Sequence, residues 1–373
     1  MTSKIWFLPK KPYAKRILIH AINHVGLGHL NRSIAMAQWL QAGIPDLQIL
    51  FLIEGGEYLI EPTGFPWIMV PGQSTESEHS EQITRTVLDV FRPTLVIHDT
   101  LIREFVYKPA RDAGVRQVLV GRIGGILKNQ FQHNLPMINE MDLLIIPHQR
   151  EHVAPFYQAF ISQYNGKTVY AGPLVRKTPL VSSDGLMQRL CLTSANKVIL
   201  ATFGGGGWDI ARTLLASLLA AKDQILERYP LAKLIVITGP HFSGELPEVS
   251  EFVCYSSRFE PSLADYLNIA SAVVCMAGYN TVNEVASSGV PAICVPAPEA
   301  EDQVGAGGMG EYAQSFPNIV VSNTDTELLA RHITNALGCG RYVSVTQEFR
   351  RRAEIASQRV VAEIKGMLDA MKG

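Results

Sequence analysis

The sequence has no apolar run long enough to cross a bilayer. Its longest, such as Ile49–Ile53 and Ala272–Ala277, fall far short of the roughly 20 residues a membrane helix needs. The N-terminal MTSKIWFLPKKPYAKR is basic but lacks an apolar core of signal-peptide length, so a cytoplasmic location is expected. No CxxC joins the five cysteines (Cys191, Cys254, Cys275, Cys294, Cys339), and buried, reduced thiols are the expectation. Net charge is equally scarce. Lys+Arg 33 against Asp+Glu 34 leaves −1, which argues against a generally basic nucleic-acid binder. What remains is an ordinary globular composition, 47% hydrophobic and 18% charged, which excludes wholesale disorder. A length of 373 residues predicts two domains.

Short β-branched apolar runs alternate with amphipathic stretches from end to end. Runs at 16–22, 47–53, 94–99, 115–120, 142–147 and 168–172 read as strands, with helical patterns at 29–42, 80–91 and 103–113 between them. The second half repeats this grammar at 197–202, 233–238, 251–255, 271–276, 291–296 and 318–322. Strands apolar throughout, separated by helices, imply parallel sheets covered on both faces. The fold class is therefore α/β, with two doubly wound, Rossmann-like parallel-sheet domains. A single barrel would need eight uniform units. A Pro-, Ser- and Gly-rich stretch at 171–185 marks the break. It predicts an N-terminal domain over 1–172, a second domain over 173–345, and a C-terminal helix over 346–373 packing across the two. Phe349, Ala353, Ala356, Val360, Ile364, Met367 and Met371 share that helix's apolar face.

Four constellations could carry chemistry. The first, HAINHVGLGHLNRS, runs strand, glycine turn, helix. Gly26 and Gly28 permit the tight turn, and the helix start offers free N–H groups to an anion. It is not the dinucleotide fingerprint, because Asn31 stands where GxGxxG needs glycine. His29 sits at the carboxyl end of the first strand, as a general base, a substrate contact or a structural cap. The second is Asp99, ending the buried run TLVIHD, which could orient an imidazole or cap the following helix. His98 alternates to the other side of the strand and reads as packing. The third, ATFGGGGWDI, places Gly204, Gly205 and Gly206 between strand and helix, where backbone N–H groups can wrap a phosphate. No GK[ST] follows, which argues against a P-loop enzyme. The fourth is MAGYNTVNEVASSGVPAICVPAPEAEDQ. Gly278 opens a turn, Asn280 or Thr281 can cap the next helix, and Glu284 on its first turn can accept two ribose hydroxyls. The acidic loop Glu299–Gln303 could bind sugar hydroxyls or hold a divalent ion. His148 and His152 have the spacing of a zinc pair on a helix, though a solvated helix start is the simpler reading.

Segment 276–303 resembles the nucleotide-sugar site of the GT-B glycosyltransferases, within them the MurG-type family of the peptidoglycan N-acetylglucosaminyltransferase. GLGHLNR at 26–32 is similar to the GxGHxxR loop of related sugar transferases and nucleotide-sugar hydrolases. The resemblance implies twin domains facing a central cleft, with a uridine diphosphate sugar on the C-terminal one and the acceptor on the N-terminal one. It further implies that Glu284 binds ribose, that Gly278 to Thr281 and Gly204 to Gly206 take the diphosphate, and that backbone near Phe259 meets the base. Asp302 and Gln303 would contact the donor sugar, and Gly26, Gly28 and Arg32 would form an acceptor or phosphate loop. The resemblance implies no cofactor and no metal, in accord with the absence of an Asp-x-Asp pair. The expected activity is transfer of a hexosyl or N-acetylhexosaminyl group to an acceptor hydroxyl, with His29 as base and Asp99 beside it. The acceptor would be a small molecule, a glycan or a lipid-linked intermediate, which leaves peripheral membrane contact open. The alternatives are a nucleotide-sugar hydrolase, a 2-epimerase, or a noncatalytic binding subunit. In place of the family's TGGTGGH loop stands NHVGLGH, and VGAGGMGEYA follows Gln303.

Overall fold

A computed structural model describes residues 15–22, 28–55, 64–71, 77–176, 183–260, 262–305 and 307–370. The glycine at 26 lies outside them. The chain divides into two compact units. One is built on 29–176 with β1 before it and 353–373 after it, the other on 177–352.

The first unit runs β1 (Arg16–Ile22), α1 (Gly28–Gly43), β2 (Gln48–Glu54), β3 (Trp67–Val70), α2 (Ser77–Phe91), β4 (Leu95–Asp99), α3 (Glu104–Asp112) and β5 (Arg116–Val120). It continues with α4 (Gly125–His133), α5 (Leu135–Asn139), β6 (Leu143–Ile146), α6 (Pro155–Ile161) and β7 (Lys167–Tyr170). Its strands pair in parallel in the order β3-β2-β1-β4-β5-β6-β7. The second unit runs α7 (Ser183–Arg189), β8 (Lys197–Thr202), α8 (Ile210–Ala220), α9 (Lys222–Arg228), β9 (Ala232–Ile237), β10 (Val253–Ser257), α10 (Leu263–Ile269) and β11 (Ala272–Met276). Then come α11 (Tyr279–Ser288), β12 (Ala292–Val295), α12 (Glu301–Val304), α13 (Met309–Gln314), β13 (Ile319–Val321), α14 (Thr326–Gly338) and α15 (Val343–Asp369). Its six strands are also all parallel, in the order β10-β9-β8-β11-β12-β13.

Both orders reverse direction at one place, between β1 and β4 and between β8 and β11. In doubly wound sheets ligands bind in the crevice outside the carboxyl ends of the strands at such a switch point. The central strands are apolar because helices cover both faces. Ile17, Ile19, Ile97 and Val118 are buried in the first unit, Ile199, Leu234 and Val274 in the second. Truncating one of these to alanine would cost about 2–5 kcal/mol. Helix α15 begins in the second unit, where Phe349 packs on Phe316 with ring centroids 5.8 Å apart, and ends in the first. There Ala356, Val360, Ile364 and Leu368 join the core of β1, α1 and β2.

Strand β3 and helices α4 to α6 have no counterpart in the sequence pattern. β3 is a four-residue edge strand enclosed by Pro66 and Pro71, and prolines at both ends read as loop rather than strand. Two expectations are corrected. Cys191 and Cys339 are exposed, since they stand in turns after helices rather than in strands. His148 is buried, not on a solvated helix, because it follows β6 directly and only a 3-10 turn, Arg150–His152, comes after it. Among the described residues, no helix is long and apolar enough to cross a membrane.

Candidate functional site

The first unit's switch point is filled by side chains. α1 brings Arg32 and Ser33 against Asp99, which ends β4 and is 1% exposed. Arg32 donates from Nε (3.0 Å) and Nη2 (2.5 Å) to Asp99 Oδ1, and from Nη2 to Thr100 Oγ1 (2.5 Å). Ser33 Oγ donates to Oδ2 at 3.0 Å. Arg32 is itself 2% exposed, so its charge is spent inside the unit rather than on a loop that receives phosphate. Thr100 holds φ 70, a left-handed conformation costly for a β-branched residue, and thereby turns the chain so that its hydroxyl meets Arg32. Asp99 does not cap the next helix. The N-cap of α3 is Arg103, without a side-chain cap bond.

His29 stands on the first turn of α1. Its Nδ1 lies 3.9 Å from Asp99 Oδ2, beyond hydrogen-bond range, but 3.3 Å from Arg32 Nη2. A guanidinium can only donate, so this bond makes Nδ1 an acceptor and leaves a neutral ring's proton on Nε2. For Nε2 to accept a proton, the ring has to take its other tautomer, with the proton on Nδ1 and donated to Asp99 in place of the bond from Arg32.

Two further groups border this edge: Glu54, which the sequence reading passed over, and His148, which it placed at a solvated helix start. Glu54 ends β2 fully buried, bonded by Arg103 Nε at 2.8 Å and 3.4 Å from His20 Nε2. Burial pushes this carboxyl up, but the His20 and Arg103 contacts outweigh it and hold it at about 2. Glu54 ends an apolar run just as Asp99 does, and that signal was there to be read. His148, past the end of β6, is kept neutral by burial and by the charges of Arg122, Arg32 and His152. His98 is packing, as its alternation suggested. Its Nε2 meets Gln117 Oε1 at 2.8 Å, and burial, with His20 beside it, lowers it to about 3.

The second unit's switch point is lined by backbone. The loops after β8 and β11 converge on Thr281. Its Oγ1 would lie 3.9 Å from a Cβ at Gly204 and 3.7 Å from one at Gly278. Gly206 (φ +75) passes so close to the loop after β9 that a Cβ would stand 2.3 Å from the Thr238 carbonyl. Gly239 (φ +96) is equally close to the Gly204 carbonyl oxygen, at 2.3 Å. Only glycine permits either the angle or the approach. Gly205 O accepts from His241 N at 2.9 Å.

Helix α11 corrects the capping expectation. Its N-cap is Gly278, with no side-chain cap bond, while Asn280 and Thr281 lie inside the first turn. The N-cap residue therefore offers no side chain to the first-turn N–H groups, which suits an anion. Glu284 is the sixth residue of α11, on its second turn rather than its first, three and four residues after Thr281 and Asn280 on one face. Phe259, 40% exposed, follows β10.

The acidic loop is partly structural. Gln303 is buried, and its Oε1 accepts from Ala297 N at 2.9 Å, which fixes the side chain with its amide N–H groups as the donors it can offer a sugar. Glu299 Oε1 accepts from Ile210 N at 3.2 Å and so caps α8. Asp302 lies half-buried on α12. The glycines after Gln303 are explained by packing. A Cβ at Gly305 or Gly310 would come within 2.8 Å of the Glu301 or Gln303 carbonyl, and at Gly308 within 2.7 Å of that of Gly305. Among the described residues, no group of three or more His, Cys, Asp or Glu could hold a metal ion.

Residues 203–318 match the glycosyltransferase family 28 C-terminal domain. The chain is 26% identical over 355 residues to the UDP-N-acetylglucosamine--N-acetylmuramyl-(pentapeptide) pyrophosphoryl-undecaprenol N-acetylglucosamine transferase of Coxiella burnetii, covering 91% of this chain and 95% of that relative. Its fold is similar to MurG of Acinetobacter baumannii (TM-score 0.54, 15% identity, 94% of this chain and 99% of that one). It is also similar to UGT2 of Phytolacca americana, solved with UDP-2fluoro-glucose and pterostilbene (TM-score 0.66, 13% identity, 95% and 100%). With two parallel-sheet units in these strand orders and a match to the family 28 C-terminal domain in the second, the protein is a glycosyltransferase of GT-B-type fold, similar to the MurG-type family.

Proposed function

We propose that this glycosyltransferase takes N-acetylglucosamine from its uridine diphosphate ester, held by the second unit, and passes it to a hydroxyl of a lipid-linked acceptor at the first. One observation carries the donor half: two glycine turns meeting on Thr281 beside a helix start without a side-chain cap. Backbone amides aimed at one point neutralise a leaving diphosphate without titrating, so the reaction needs no metal. Glu284 takes the ribose hydroxyls, and the amide of Gln303 with Asp302 reads the sugar. The relatives are named for that donor sugar and for a pyrophosphoryl-undecaprenol acceptor, which supports both halves of the reading. That acceptor puts the work at the cytoplasmic surface of a membrane.

In the transfer, the acceptor oxygen attacks the anomeric carbon, the bond to the diphosphate oxygen breaks, and its electron pair leaves with the diphosphate. His29 Nε2 takes the hydroxyl proton from the tautomer whose own proton sits on Nδ1, where it is donated to Asp99 rather than Nδ1 accepting from Arg32. Arg32 and Ser33 fix the carboxylate that receives it.

Calorimetry with uridine diphosphate in a chelator tests the donor half. Binding without metal is expected, and Glu284→Ala should weaken it by about 1.5–3 kcal/mol, the range for hydrogen bonds to a charged group. A strict need for Mg²⁺, or equal affinity in the variant, overturns the reading. Incubation of UDP-N-acetylglucosamine with and without a lipid-linked acceptor separates transfer from hydrolysis.

A further inference from the structure

Phe259 follows Arg258, whose side chain reaches away from its own loop. Nη1 donates to the Phe242 carbonyl and Nη2 to the Gly244 carbonyl at 3.0 Å, with the guanidinium carbon 6.0 Å from the Phe242 ring centroid. Both carbonyls belong to the loop after β9. That loop presses on the glycine loop through three contacts: His241 N to Gly205 O, Gly239 against Gly204, and Phe242 against Gly206. β8, β9 and β10 are neighbours in the sheet, so the three loops stand side by side and touch in series. The loop after β10 is anchored from behind. Tyr255 OH donates to Glu260, Tyr255 stacks on Tyr266 at 6.0 Å, and Arg189 Nη2 donates to Tyr266 OH at 2.7 Å.

We propose that Arg258 is a positioning residue for a nucleoside diphosphate: from the loop that meets the base, it sets the backbone amides of 204–206 that meet the phosphates. The proposal rests on the reading that the second unit binds the donor. Its physical content is that two charge-assisted bonds, about twice as strong as neutral ones, hold the middle loop, and the middle loop holds the glycine turn. Arg258 itself touches no phosphate in this account. It makes the gain from the diphosphate depend on an ordered base loop.

The full-length Arg258→Ala and Arg258→Lys variants test this. Hydrogen exchange without ligand reads the geometry. In Arg258→Ala the amides at 204–206 and 241–244 should exchange at least tenfold faster, while those of β8 and β11 stay as they were. Arg258→Lys, able to reach one carbonyl, should recover part of the protection. Calorimetry reads the coupling. The ratio of uridine diphosphate to uridine affinity should fall about tenfold in Arg258→Ala. Unchanged exchange at 204–206, or equal losses for uridine and its diphosphate, would overturn the proposal. A wild-type chain that binds no nucleoside diphosphate would sink the donor reading instead, and the exchange data would still decide whether Arg258 orders the glycine turn.

Discussion

The two switch points have the same topology and opposite chemistry. In the first unit the crevice edge is built from charged side chains locked together: Arg32 on Asp99, and Arg103 with His20 on Glu54. In the second, the edge is built from glycine backbone and a helix start without a side-chain cap. Amides cannot titrate or swing away, so they suit a group that is anionic throughout and gains charge as it leaves, such as a diphosphate. Side chains can exchange a proton and partners, which a reacting hydroxyl requires. A doubly wound sheet presents the same row of loops in both cases. Which residue types fill the row decides what each unit can do.

The largest expected effect separates rate from stability within the first unit. His29→Ala should cut turnover by roughly 10²–10⁴, the range for losing a general base, while nucleotide affinity holds, because the donor loops belong to the other unit. Asp99→Asn should show itself first as a loss of folding stability of about 3–5 kcal/mol, since it leaves the buried Arg32 guanidinium without its carboxylate. Steady-state kinetics beside urea unfolding distinguish them. A His29→Ala enzyme with wild-type turnover removes the ring from the mechanism. An Asp99→Asn protein of unchanged stability would mean that the pair contributes nothing net.

Acid should strike the first unit before the second. His98 and His148 are held neutral when folded, His98 at about 3. In the unfolded chain both would gain protons below about pH 6.5, so stability falls as pH drops from there. Glu54 has the opposite chemistry and the same direction. Its folded value of about 2 lies under the ordinary 4.5, so its contribution is full above about pH 4.5 and is lost as pH falls towards 2. The second unit's lowered histidines, His241 and His332, are less deeply enclosed. Scanning calorimetry from pH 7 to 4 should show the transition assigned to the first unit moving down faster, and His98→Gln should reduce its slope. Parallel shifts of both transitions would break the contrast.

Sequence periodicity carried the fold well, because buried parallel strands are continuous apolar runs with little to confuse them. It did less for the site. Asp99 was legible as a carboxylate ending such a run. Its partner was not: Arg32 in GLGHLNR looks like a phosphate contact until α1 folds it inward. Thr100 gave no sign of its left-handed turn. The bonds made by Arg258 and Glu299 were beyond reach for another reason, although Glu299 itself stood out in the acidic loop. Their partners are backbone groups of distant loops, the carbonyls of Phe242 and Gly244 and the amide of Ile210, and a backbone group has no letter in the sequence. The run of glycines after Gln303 is visible in the sequence, but its reason, the crossing carbonyls of Glu301, Gln303 and Gly305, is not.

The smallest effect tests whether the second unit contains any equivalent of the first unit's buried pair. Glu299 is exposed and caps α8 from 89 residues away, because the helix's own N-cap, Asp209, makes no cap bond and instead pairs with Arg212 at 2.6 Å. An exposed carboxylate at a helix start gains from one N–H bond and from the helix dipole, and neither has to offset burial of a charge. Glu299→Ala should therefore cost about 1 kcal/mol, the usual value of a cap, against the several expected at Asp99. Glu299→Gln keeps an oxygen acceptor and loses the charge, so it should fall between the two, and raising the salt should narrow its gap from wild type. Urea unfolding of the three proteins at low and high salt measures this. A loss in Glu299→Ala as large as that of Asp99→Asn would show a hidden ionic centre in the second unit, and the contrast between a backbone edge and a side-chain edge would then fail.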